Sequence, residues 1–154
     1  MAGNLGWAVS PEIALVSGNK AYAVVTSPSN YVTEVNTVLL SFDGTVASDA
    51  PLFCRVARVS SAGSGSSVSN VTVGKRINGF PTINTTVACG AHDTSDPTLV
   101  SNVAGVNIHP RGGGYTHSIQ FAPVLLADGE RLAVFINNDA GLTWSVVITV
   151  GMNE

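Results

Sequence analysis

The chain has 154 residues, the size of one domain able to bury a core without disulfides or metal. Charged residues are 11% of it and apolar residues 45%, so its surface must be largely Ser, Thr, Asn, Gly and Ala, and much of that surface is expected to lie against other subunits. A net charge of −3, with only Lys75-Arg76 adjacent among the basic residues, leaves no footprint for nucleic acid; no apolar run is long enough for a membrane helix; and "MAGNLGWAVSPE" lacks the charged start and apolar centre of a signal peptide, which points to synthesis in a cytoplasm.

Apolar residues recur with period two, or in short runs bounded by Gly, Pro, Asn, Asp and Ser, and no segment sustains helical spacing. The expected fold class is all-β. The first candidate strand, 7–16, contains Pro11, which removes a ladder donor and places the strand at an edge or a bulge. Residues 1–12 therefore read as an extended arm or edge strand carrying Leu5 and Trp7, and residues 13–154 as one domain. Further strands are expected at 21–26, 36–42, 52–60, 67–76, 82–88, 98–108 and 117–122, with a turn region at 27–35. "SSAGSGSS" (60–67) reads as the flexible tip of a hairpin between the strands on either side of it. Eight to ten such strands fill a single antiparallel β-sandwich.

The C-terminal third is the most legible. The Asp128-Gly129 turn launches a strand with Leu132, Val134 and Ile136 inward; "NNDAG" turns it; and Trp144, Val146, Ile148 and Val150 return with the same alternation. This predicts a hairpin with one buried face. The opposite set contains Phe135 and Val147, apolar residues that would face outward, as a strand meeting another subunit requires. The candidate assembly interface is therefore Leu5, Trp7, Phe135 and Val147.

Catalytic and metal chemistry find little support. "IHPRGGGYTHS" (108–118) holds His109, Arg111 and His117 around three glycines, but the glycines lead into a strand rather than a helix, which removes the phosphate-loop reading. His92, Asp93, Asp96, His109 and His117 fit no common metal spacing, and local hydrogen bonding in a long loop is the simpler reading. No GxSxG or Cys/His pair suggests a nucleophile. The expectation is no enzyme, no metal and no cofactor. Cys54 and Cys89 read as two reduced thiols in strands. Trp7, Trp144, Tyr22, Tyr31 and Tyr115 are the residues from which a sugar-stacking platform would be drawn, with Trp144 better placed in the core.

With these residues in view, "APVLLADGERLAVFINNDAGLTWSVVITVGMNE" resembles a recurrent ending of small all-β virion proteins of tailed bacteriophages: a Leu-x-x-Gly-Glu-x-Leu-Ala turn and strand, a Gly-containing turn, a Trp-centred strand and a terminal acid, here Leu126, Gly129, Glu130, Leu132, Ala133, Gly141, Trp144 and Glu154. The resemblance implies a jelly-roll-like sandwich, often trimeric. Its implied role is a decoration (cement) protein that docks on the major capsid protein of its virion and stabilises the shell, with a carbohydrate- or receptor-binding module of a tail fibre or spike as the alternative.

Overall fold

A computed structural model describes residues 5–44, 50–75, 81–109 and 115–154. Among them every regular element is a β-strand: β1 (Leu5–Val9), β2 (Ile13–Ala14), β3 (Gly18–Thr26), β4 (Val32–Asp43), β5 (Leu52–Val59), β6 (Ser69–Val71), β7 (Val73–Lys75), β8 (Thr86–Cys89), β9 (Leu99–Ile108), β10 (Tyr115–Ile119), β11 (Val124–Ala127), β12 (Arg131–Asn138) and β13 (Ser145–Asn153). There are more segments than the expected eight to ten because two lines are interrupted and the strand expected at 67–76 divides into β6 and β7, one in each sheet. β1 and β2 run in succession along β13, and β10 and β11 in succession along β4.

The strands form two antiparallel sheets, one of seven strands in the order β10-β4-β13-β1-β7 with β11 and β2 extending it, and one of six in the order β6-β8-β3-β12-β5-β9. The chain crosses from one sheet to the other at each step from β2 to β5, keeps to the six-stranded sheet from β5 to β9 except for an excursion at β7, and crosses again at β10, β12 and β13. Two sheets of four principal lines connected in this order make a jelly roll. Residues 60–98, inserted between β5 and β9, add β7 to one sheet and β6 and β8 to the other.

The core is one continuous cluster between the sheets. Leu40 and Phe42 of β4 and Val146, Ile148 and Val150 of β13 face Tyr22, Val56, Leu132, Val134 and Ile136 from the opposite sheet, all essentially inaccessible to solvent. The inward sets expected for 131–137 and 143–150 are thus buried between the sheets, and Trp144, 3% exposed, is among them. They do not form a hairpin, however. β12 pairs with β3 and β5, whereas β13 pairs with β4, β1 and β2. The two strands oppose each other across the sandwich, joined by a wide turn in which Asn138 Nδ2 donates to Leu142 O, Leu142 N donates to Asn138 Oδ1, and Gly141 takes a positive φ. Alternation specifies a buried face but not whether the covering strand lies beside it or opposite it.

Three further expectations change. β1 is not an arm or an edge: it is paired to β13 on one side and β7 on the other, while Met1–Asn4 lie outside the described residues. Pro11 marks the break between β1 and β2, where Ser10 N donates to Ile148 O and Ser10 Oγ accepts from Ile148 N, so that the side chain substitutes for a ladder carbonyl. β5 does not pair with β6 or β7, so 60–67 is not a hairpin tip. That segment folds across the outside of the six-stranded sheet and is bridged to 90–97, with Ser64 N donating to Ser95 O and Thr94 N and Ser95 N donating to Ser64 O. A Cβ at Gly65 would overlap Ala91 O, so the small residues of this stretch serve close packing rather than mobility.

Candidate functional site

The outer face of the seven-stranded sheet is the surface on which the candidate interface residues meet. Its strands hold inward positions by burying Ala8, Val38, Leu40, Val146, Ile148 and Val150, which forces the alternate positions outward. Across the sheet these outward positions form register rows. One is Gly74–Trp7–Gly151–Thr37, the next Val9–Thr149–Leu39–Ser118, and the next Val147–Ser41–Thr116. None of these residues is charged. The acids stand at the two ends of the face, Glu34 in the row of Leu5, Asn153 and Leu125, and Asp43 in the row of Ser145 and Ala14.

Trp7 is the centre of this surface. It is 40% exposed, and its flanking neighbours on β1, Leu5 and Val9, are 37% and 54% exposed. The indole lies over Gly151: a Cβ there would stand 2.7 Å from Trp7 Cζ3 and 3.0 Å from Cη2, so the absence of a side chain at 151 lets the ring rest on the backbone of β13. Val147 is half-buried on the same face, two rows away. Leu5, Trp7 and Val147 therefore share one surface.

Phe135 does not join them. It is 2% exposed on the outside of the six-stranded sheet, in a satellite cluster with Ala21, Val24, Ala57, Val59 and Ala133 against which Ala62 packs. The Arg55 guanidinium lies over its ring at 4.9 Å from the centroid. The outward apolar residue read from the alternation is real, but the chain's own 60–67 segment, with Arg55, covers that side of the sheet. Sequence reading also missed Val9 and Leu39, both of which the alternation places outward once β1 and β4 are recognised as adjacent to β13.

The remaining candidates scatter. His92 is buried beneath the 60–67 segment, its Nδ1 at 3.1 Å from both Ala21 O and Gly90 O. His109 is exposed after β9, His117 pairs opposite Leu40 in β10, and Arg111 and Gly112–Gly114 lie outside the described residues. Among the described residues no three His, Cys, Asp or Glu side chains are grouped to hold a metal ion. Cys54 in β5 and Cys89 in β8 are free and buried, separated by β3 and β12, and burial pushes both thiols up to about 12.

No family model, curated protein or solved structure matches the chain. The functional reading therefore rests on its own residues.

Three other surface features are accounted for structurally. A shallow groove of about 400 Å³ at one end of the sandwich is lined by Glu12, Asp43, Gly44, Trp144 and Ser145, but its carboxylate Glu12 accepts from Ser145 Oγ and its indole is buried. The Glu130 carboxylate accepts from Ala127 N at 2.9 Å and from Arg58 at 3.2 Å, closing the Asp128-Gly129 turn, whose two residues both have positive φ. Glu154 accepts from Asn84 N, Thr85 N and Thr85 Oγ1, clamping the segment before β8 to the end of β13. Two of the acids that carry the phage-ending resemblance, Glu130 and Glu154, thus hold turns and segments in place.

Proposed function

We propose that this protein is a structural subunit that assembles through the outer face of its seven-stranded sheet, and that the assembly is a trimer decorating a phage head, where it docks on the major capsid protein and stabilises the shell. The observation that carries the assembly is the uncharged face centred on Trp7, with exposed Leu5 and Val9 beside it. Five strands at about 4.8 Å spacing over eight residues of β13 give a face of roughly 600 Å² in projection. Two such faces reach the lower end of the roughly 1,200–2,000 Å² that stable interfaces bury. The occupant is a further copy of the chain, because the uncharged rows between the two acidic ends neither select nor repel a charged partner; about a three-fold axis this face of each copy meets a different part of the next, and the three contacts close the ring. The placement on a phage head is supported by the C-terminal resemblance alone.

A specific observation keeps a second reading in view: a half-exposed indole resting on a glycine, with Thr37 and Thr149 on the same face, also suits a saccharide platform, as in a fibre or spike module.

One comparison separates them. Light scattering on the purified chain should give a trimer mass, Trp7→Glu should reduce it to the monomer with the fold retained, and the same variant should lose occupancy on decoration-free heads of the cognate particle. A wild-type chain that stays monomeric both alone and on such heads overturns the proposal. An unchanged mass in Trp7→Glu, together with loss of glycan binding, assigns the face to sugar.

A further inference from the structure

A different part of the surface carries an inference independent of the Trp7 face. β9 ends the six-stranded sheet, pairing with β5 on one side and with no strand on the other among the described residues. It is ten residues long, whereas the other edge of that sheet, β6, is three. The seven-stranded sheet is also blunted at both edges: β7 is three residues and ends in Lys75, and the line of β10 and β11 is broken at 120–123, where Pro123 stands. Natural sheets shorten, charge or break their edges because free N–H and C=O groups recruit further strands. "LVSNVAGVNI" has no charge and no proline, and it exposes Leu99 at 43% and Val100 at 63%.

The geometry points to β9 as a β-addition edge that pairs antiparallel with β9 of a second copy, joining two six-stranded sheets into one. A free edge specifies its occupant's chemistry, since only an extended polypeptide satisfies its row of donors and acceptors. Neutrality specifies the copy: a two-fold axis sets a strand against itself, so any charge on it would meet its like. β3, β4, β5 and β12 each carry a charged residue; of the long strands only β9 and β13 carry none, and β13 is paired on both sides. The register of β9 on β5 skips Val103 and Val100, so two bulges twist its first half and leave Ala104–Ile108 as the regular run for pairing. The five-residue run is about 17 Å long and, at one sheet separation of about 10 Å wide, presents roughly 170 Å². Two such edges bury less than the roughly 1,000 Å² expected of an independent interface. The contact is therefore weak between single chains and gains strength where several act together, as between neighbouring oligomers.

The test uses the full chain carrying Trp7→Glu, so that association through the other face does not contribute. At concentrations well above those at which this variant scatters as a monomer, sedimentation should show a reversible dimer, and amide exchange within 99–108 should slow as the dimer forms, which side-chain contact alone would not produce. Asn107 is exposed and stands one residue from the centre of the regular run, so a two-fold axis through that run sets it diagonally beside its own copy, about 7–8 Å away. Asn107→Lys should weaken dimerisation by at least about tenfold, as should Asn107→Glu, because like charges then meet across the axis. Mixing the Lys and Glu variants should restore it. Absence of a dimer, unchanged association in the Lys variant, or failure of the mixture to recover overturns the pairing. A monomeric Lys variant that still forms trimers when Trp7 is intact leaves the assembly face untouched.

Discussion

Replacing Trp144 by alanine tests the reading that this indole is core and not a ligand platform. The side chain is 3% exposed and belongs to the central cluster, and its ring lies against Gly44, where a Cβ would overlap three of its atoms. An indole of this kind removes about 200 Å² from water, worth roughly 5 kcal/mol at 25 cal/mol per Å², and truncations of buried Trp cost about 3–5 kcal/mol once partial relaxation is included. In a domain of this length each kcal/mol lowers the melting temperature by about 2–4 °C, so the expected fall is about 6–20 °C. Thermal unfolding followed by circular dichroism reads it directly. Gly44→Ala should also destabilise, by about 1–3 kcal/mol, since the ring must shift to admit the methyl group. In the double variant the new methyl group occupies part of the space the indole vacates, so the loss should be smaller than the sum of the two. A Trp144→Ala protein within about 1 kcal/mol of the parent, or strict additivity of the pair, would refute the packing argument.

Glu130 predicts a pH dependence. The Ala127 amide, and after it Arg58, holds its carboxyl below the ordinary value, so its contribution is present above the unfolded-state value and is lost as pH falls through the lower folded-state value. The side chain is half exposed, so the effect is small; Glu130→Gln should flatten the acid limb of a melting-temperature profile, and an unchanged limb would show that the turn does not depend on the charge. For the cysteines, burial of Cys54 and Cys89 predicts that a thiol-specific reagent at mildly alkaline pH labels neither in the native protein and both after unfolding. Rapid native labelling would contradict the placement of either strand.

Much of this architecture was legible in the chain. Period-two alternation identified an all-β sandwich, named Leu132, Val134, Ile136, Trp144, Val146, Ile148 and Val150 as inward, and placed the thiols in strands, because whether a side chain faces inward or outward is a local property of an extended backbone. It also brought out Val147 as an outward apolar residue, whereas Trp7 stands out through the reading of 1–12 as an arm, which the pairing of β1 on both sides replaces. What covers an apolar residue is not local. Phe135 and Val147 carry the same signal in sequence, yet one is sealed by the chain's own 60–67 segment while the other lies on an open face. Likewise nothing within Leu5–Val9 records that β13 and β7 flank it, since pairing depends on strands about 70 and 140 residues away in the chain. The partition of β12 and β13 into opposite sheets, the sealing of the satellite cluster, and the exposure of one long neutral edge at β9 were decided only when all the strands competed for partners at once.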